Sequence, residues 1–381
     1  MDFSLSAEQL RLRNAVIEFA GKKLRDDVIK GETHGAFSRA HWEECAKFGI
    51  QGLSFPEEYG GLNFDILTTV IVMEGLGYAC KDNGLIFGLN AQMWSVQMPI
   101  LRFGSHEQKN KFLPKLCSGL SIGAHGMTEP DSGSDAFNLR TTAKLQDDHY
   151  LLNGSKTFVT NAPVADVFVV FATVDKRKGF LGITGFLVEK GMPGFSVGKE
   201  IKKMGLNTSP MAELIFDDCK VPVENRLGKE GNGAAVFNDS MEWERSFILA
   251  SCLGAMERQL EACVKYAKER KQFKKPIGTF QSVANKLVDM KIRLETARLL
   301  LYKAAWVKKT EGKAGINSAI VKLYLSECWL KSCLDAIQIH GGYGYTTEYG
   351  IERDLRDSVG STIYSGTSEM QKNIIAQYLG L

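Results

Sequence analysis

Met127-Thr128-Glu129-Pro130-Asp131-Ser132-Gly133-Ser134-Asp135 stands just past the point, near Ile122, where the chain changes texture. Small hydroxyl residues and a glycine bring N–H and O–H donors close together here, as a phosphate or the carbonyl edge of a ring system would require. The same pattern describes an ordinary Asx-rich turn at a domain boundary, and pattern alone favours that turn. From the loop to about Leu227 the signals are strand-like. Tyr150 to Thr160 divides at Asn153-Gly154, a hairpin signal. Val167-Phe168-Val169-Val170-Phe171 is a β-branched and aromatic run between polar turns, and Ile183 to Val188 and Glu213 to Phe216 continue it. A middle domain of antiparallel sheet is predicted.

On either side the period becomes helical. Residues 1–25 read as an amphipathic helix, with Ser6 and Gln9 spaced for a capping box. Phe55 to Gly61 is a loop set by its proline and glycine pair. Ile66 to Tyr78 reads as a buried helix, and Ser105 to Leu116 as another with Ser105 at its N-cap. After Gly233, Met290, Leu294, Ala297, Leu301 and Ala304 recur at spacings of four and three, one face of a long helix. Ser318 to Ile339 is similar, so the last third reads as a helix bundle. The order is helices, sheet, helices, an α+β architecture divided at residues 1–119, 120–228 and 229–381.

Composition excludes several function classes. The 381 residues are 44% hydrophobic and 24% charged, with a net charge of +3, too small to argue for nucleic acid. No apolar run approaches the length of a membrane span, and the N-terminal segment lacks a signal-peptide pattern, so a cytoplasmic location is expected. The eight cysteines form no C-x-x-C pair and the six histidines no H-x-x-x-H pair, so neither metal nor disulfide is expected. Neither G-x-G-x-x-G after a strand nor G-x-x-x-x-G-K-[ST] occurs. Gly119-Leu120-Ser121-Ile122-Gly123 matches G-x-S-x-G, but a nucleophile elbow needs a strand before it and a helix after it. Here that order is reversed, which argues against a serine hydrolase.

Thr128 to Asp135, followed by Asn153-Gly154-Ser155-Lys156-Thr157-Phe158-Val159-Thr160-Asn161, resembles the acyl-CoA dehydrogenase flavoproteins. The resemblance runs through Met204-Gly205, Phe216-Asp217-Asp218, Val221-Pro222, Glu269 to Phe273 and Ile277 to Gln281. It ends with Gln338 to Gly344 and Gly366-Thr367-Ser368-Glu369. It implies an N-terminal helical domain, a middle antiparallel β domain and a C-terminal four-helix bundle, with FAD as cofactor and a homotetramer as the assembly. By resemblance Met127, Thr128 and Ser134 hold the flavin ring and pyrophosphate, and Phe158 and Thr160 pack on the ring. Phe158 stands where the family often has tryptophan. Arg270, Phe273 and Gln281 match residues reaching the FAD of a neighbouring subunit, where a guanidinium suits a pyrophosphate. Gln338, Gly341 and Gly342 match the adenine-side loop, and Thr367 and Glu369 the loop that closes over it.

The family's reaction needs a base for the α-proton of an acyl thioester. That base is usually a glutamate directly before the Gly-Thr of the last motif, and here the position is Ser365. An unactivated serine hydroxyl cannot take such a proton at useful rates, although its backbone N–H can still bind a thioester oxygen. A minority of the family carries the base on a C-terminal-domain helix, immediately before an arginine. Glu244-Arg245 matches that pair, so Glu244 is the expected base and Arg245 a neighbour of bound substrate. A carboxyl in an apolar pocket should have a raised pKa. Glu242, two residues away, fits instead an ordinary helix-surface pairing.

The chain as a whole resembles the prolyl carrier-protein dehydrogenases and oxidases within this family. That resemblance implies L-proline held as a thioester on the phosphopantetheine arm of an acyl or peptidyl carrier protein. An isovaleryl-type acyl-CoA dehydrogenase is the alternative. A flavin monooxygenase on the same fold is disfavoured by Glu244, and a non-catalytic scaffold by the intact flavin motifs.

Overall fold

The computed structural model describes residues 4–24 and 36–381, so residues 1–3 and 25 of the expected N-terminal helix lie outside it. Within that range Ala7–Lys23 is helical. Ser6 accepts from the Gln9 amide while the Gln9 side chain accepts from the Ser6 amide, completing the box. The helix Ile66–Ala79 is capped by Asp65 and buried nearly all round. His106–Cys117 carries a second capping box, made by Ser105 and Gln108.

Ile66–Ala79 packs directly on Ala250–Glu269 of the C-terminal domain, and glycines permit the approach. A Cβ on Gly77 would lie 1.9 Å from the Ser251 carbonyl oxygen, and one on Gly254 2.0 Å from that of Glu74. No larger residue fits either place without moving a helix. Buried Glu74 completes the seam, accepting from Arg298 at 2.9 Å and from Tyr302 at 2.7 Å. The first and third parts of the chain are therefore bolted directly together.

The middle part is a sheet of β1 (Gly123–Gly126), β2 (Thr142–Gln146), β3 (His149–Thr160), β4 (Val167–Thr173), β5 (Ile183–Glu189), β6 (Phe195–Glu200), β7 (Met211–Pro222) and β8 (Arg226–Leu227). Its order is β6-β7-β3-β2-β4-β5-β8, with β1 beside β4. The pairs are antiparallel except β1 with β4 and the single Thr142–Thr173 pairing of β2 with β4. β4 is buried along its whole length, which explains its unbroken apolar run.

Asn153-Gly154 does not turn the chain, contrary to the hairpin expected there. β3 runs straight through it, and the turn falls at Asp147-Asp148, where Asp147 adopts φ 50°. Gly154, at φ 139°, sits at a register shift between β3 and β7, with Thr141 where a Cβ would go. An isolated glycine inside a strand marks a bulge and a close backbone approach as readily as a turn. Asn153 staples the bulge by exchanging two 2.9 Å hydrogen bonds with Asp218.

The C-terminal helices Gly233–Phe247, Ala250–Glu269, Gln281–Glu311 and Ile316–His340 form the bundle. Met290, Leu294, Ala297, Leu301 and Ala304 all face its interior. Gly119 to Gly123 joins a helix to a strand, the reverse of a nucleophile elbow. All eight cysteines are buried and unpaired. Among the described residues no helix is long and apolar enough to cross a membrane.

Candidate active site

Glu244 lies in the last turn of the helix Gly233–Phe247 and is 9% exposed. Its carboxylate accepts hydrogen bonds from two hydroxyls that the chain brings from far away, Ser95 and Ser365. Ser95 belongs to a single π turn, Met93–Gln97, inside an otherwise α-helical stretch. Such turns re-aim side chains and recur at functional sites. Ser365 sits at φ 57° and Gly366 at φ 90°. Gln371 donates to both of their carbonyls, at 3.2 and 2.8 Å, and holds that strained turn in place.

Burial pushes the Glu244 carboxyl up from its ordinary range, against the two hydroxyls and the charges of Arg245 and Lys322. Arg245 is largely buried, and its Nε has no hydrogen-bond partner among the described residues. Aromatic rings close the surroundings: Trp94 stacks on Trp243 at 6.0 Å, Phe247 lies 5.7 Å from Trp94, and Phe87 lies 4.6 Å from Tyr364. Glu242 faces away, bonded to Lys308 at 2.6 Å and to the Ala314 amide at 2.9 Å. Two glutamates two residues apart on a helix have been given opposite surroundings.

A second group forms around the loop Met127–Asp135. Buried Lys156 on β3 pairs with buried Glu129 at 2.7 Å and donates to the Met127 carbonyl at 3.2 Å. Glu129 also accepts from the Arg140 and Thr141 amides, and the Thr157 amide donates to the Thr128 carbonyl at 2.8 Å. The loop is thus fastened to β3, bringing Met127 and Thr128 against the bulge that carries Phe158, with Thr160 two residues on. Phe158 adopts φ 56° and leaves its ring 60% exposed. An aromatic ring turned outward on a strained backbone gains nothing within its own chain. It fits the face of a planar ligand such as a flavin ring. Ser134 is exposed on the same loop.

Of the remaining predicted residues, Arg270, Phe273, Gln281, Gln338, Gly341 and Gly342 gather at one end of the bundle, while Glu369, with Thr367, lies toward the start of the helix Ile316–His340, where it acts on Lys322. The Arg270 guanidinium lies 5.6 Å from the Tyr343 ring, placing the small hairpin of Lys271–Gln272 and Lys275–Pro276 beside Gly341 and Gly342. Phe273 crowns that hairpin at φ 49° and is 87% exposed. Gln281 opens the next long helix and Gln338 is exposed near the end of its own. Thr367 caps the final helix, with Glu369 in its first turn. Among the described residues, no hydrogen bond, ion pair or ring contact joins Arg270 or Phe273 to the Met127–Thr160 group.

Sequence reasoning missed Ser95, Lys156 and Lys322. Ser95 has no local signal, being one serine in an apolar helical run. Lys322 has one, because it interrupts the apolar face of its helix in register with Ala319, Ser326, Trp329 and Cys333.

The family models for the N-terminal, middle and C-terminal domains of acyl-CoA dehydrogenase match residues 6–120, 124–219 and 231–380 in turn. The chain belongs to the acyl-CoA dehydrogenase family, and is an FAD-dependent oxidoreductase acting on a CH–CH bond. It is 44% identical to an L-prolyl-[peptidyl-carrier protein] dehydrogenase of Pseudomonas fluorescens, over 100% of both chains. Among solved structures, it is similar to the prolyl acyl carrier protein oxidase AnaB, with a TM-score of 0.98 and 50% identity over 99% of this chain and 100% of that one. It is also similar to PigA with FAD and proline, with a TM-score of 0.97 and 42% identity over 100% of both chains.

Proposed function

We propose that this chain dehydrogenates an L-prolyl group held as a thioester on the phosphopantetheine arm of a carrier protein, with Glu244 as the base for the α-proton. The observation that carries the reading is the buried Glu244 carboxylate, cradled by Ser95 and Ser365 while Glu242 is consumed by Lys308 and Ala314. The two hydroxyls stabilise the ionised form, so the resting carboxylate can take a proton. Burial favours the neutral acid, so Glu244 holds that proton once it has it. Arg245 beside it contacts the substrate, and the Ser365 backbone N–H, presented by its left-handed turn, is available to the thioester oxygen.

FAD, when bound, supplies the acceptor for the hydride leaving the β carbon. Met127, Thr128, Ser134, Phe158 and Thr160 would hold it from one subunit. Arg270, Phe273, Gln281, Gln338, Gly341, Gly342, Thr367 and Glu369 would complete the site, some of them from a neighbouring subunit in a homotetramer. The exposure of Phe273 and its separation from the Met127–Thr160 group support that division.

Anaerobic mixing of the holoenzyme with L-prolyl-carrier protein and, separately, with isovaleryl-CoA tests the substrate. Bleaching of the flavin by the carrier-bound prolyl group alone is expected. Bleaching by isovaleryl-CoA alone would replace this reading with a branched-chain acyl-CoA dehydrogenase. Glu244→Gln is expected to keep FAD and lose bleaching by at least about 100-fold. Normal reduction in that variant would remove Glu244 from the role.

A further inference from the structure

Lys322 lies near the start of the helix Ile316–His340, with no solvent exposure at all. Its Nζ has no hydrogen-bond partner among the described residues. The ammonium faces the Tyr364 ring at 5.9 Å, one residue before Ser365. A buried lysine head group with nothing to bond to is costly, and such groups persist where a nearby charge or a function compensates.

The charges around it identify the compensation. From the helix Gly233–Phe247 it is faced by Glu244 and Arg245, from the final helix by Glu369, and from its own helix by Glu327. Glu244 acts on it most strongly among these, while Arg245 opposes it. Tyr364 also faces it, its phenol held neutral by burial and under the influence of Cys252, Asp357 and Glu244. Reciprocally, Lys322 is one of the two cations bearing on the Glu244 carboxyl, the other being Arg245.

We propose that Lys322 is a positioning residue for the base: a buried cation without a permanent partner, whose charge keeps Glu244 ionised before turnover. The inference rests on the reading of Glu244 as the base. A permanent salt bridge would fix Glu244 as a carboxylate too weak to take a carbon-bound proton. A charge held nearby without a direct bond, behind two serine hydroxyls, offsets the burial of the carboxylate while leaving it basic. Burial pushes the ammonium itself down to about 7, while Glu244 pulls it up. Once Glu244 is protonated that support disappears, so the two groups titrate as a pair.

The test titrates the Glu244 carboxyl in the FAD-loaded enzyme by infrared difference spectroscopy, with Glu244→Gln as the blank that assigns its band. In Lys322→Met the carboxyl midpoint is expected about one pH unit above wild type. In Lys322→Arg, which keeps the cation, it is expected at or below wild type. The acid limb of the flavin-reduction rate should move with it. If Lys322→Met does not fold, Lys322→Gln reads the same shift. An unmoved midpoint in the neutral variant overturns the proposal. So does an equal upward shift in Lys322→Arg, which would trace the effect to packing. If the midpoint moves as expected but Glu244→Gln still bleaches, the pairing stands and the base assignment falls.

Discussion

The Ser365 hydroxyl donates its hydrogen bond to the Glu244 carboxylate across 121 residues of chain. With Glu244 as the proposed base, the position where most of the family keeps that residue serves its replacement. A glutamate at both places would put two carboxylates in one buried pocket and force one of them to stay protonated. Serine avoids that conflict, keeps the turn that presents the backbone N–H, and adds a donor that favours the ionised partner.

Ser365→Ala removes that donor and leaves Glu244 buried. Burial already holds the carboxyl high, so loss of a stabilising hydrogen bond moves it higher. Rates that need the carboxylate then rise with pH through a higher midpoint. The expected shift of the acid limb is about one unit, the effect of a hydrogen bond to a charged group. Near neutral pH the loss should stay under about tenfold, far smaller than for Glu244→Gln. Rapid-mixing flavin reduction across pH checks both expectations.

Ser95→Ala should act in the same direction, because Ser95 donates to the other carboxylate oxygen. The two donors serve one group, so their effects should not be independent. In the Ser95→Ala, Ser365→Ala double variant the unaided carboxylate is expected to stay protonated well into the neutral range. A double-mutant cycle on the acid-limb midpoint should show a coupling beyond the sum of the singles. Strict additivity would mean that one serine bonds elsewhere in solution.

Much of this was legible in the sequence where a local rule had a single solution. The capping box of Ser6, the N-cap of Ser105, the helix face from Met290 to Ala304 and the reversed order around Ser121 all follow from spacing. Gly154 was misread because a turn and a bulge ask the same thing of a glycine, and only the pairing of β3 with β7 separates them. Ser95 was invisible because a π turn leaves no sequence signature. The different surroundings of Glu242 and Glu244 are a tertiary outcome: Lys308 and Ala314 reach one, Ser95 and Ser365 the other.

Phe158 offers a test in which stability and cofactor binding move apart. Its φ of 56° is unfavourable for any residue with a Cβ and free for glycine. Its ring is mostly exposed, so deleting it removes little packing within the chain. Phe158→Gly is expected to leave the apoprotein as stable or up to about 1 kcal/mol more stable. FAD affinity should fall by at least about tenfold, the scale of one ring-on-ring contact. Thermal unfolding of the apoprotein and fluorescence titration with FAD give the two numbers. A destabilised apoprotein would show that the ring is structural.

Lys156→Met probes the support beneath the loop Met127–Asp135, the proposed flavin loop. Burial pushes Glu129 up, but the Lys156 ammonium and the bonds from Thr141 and Arg140 outweigh it and hold the carboxyl below its ordinary range. A carboxyl lowered by folding adds stability above its ordinary pKa, near 4.3 for a free glutamate. That stability is lost as pH falls through the folded value. Removing Lys156 leaves Glu129 buried at 4% exposure with no counter-charge. The expected cost is about 3–5 kcal/mol, with FAD retention failing before the fold does, since Met127 and Thr128 hang from this pair. Raised toward neutrality by burial, the unpaired Glu129 should make the variant's deficit against wild type shrink as pH falls from about 7 to about 5, a window in which wild type itself weakens because burial holds His125 and His340 neutral, His125 pulled down to about 4, while the unfolded chain takes up those protons. Thermal melts of both proteins over that range decide the matter, and a deficit that stays constant or grows as acid is added would mean the Lys156–Glu129 pair does not hold the loop.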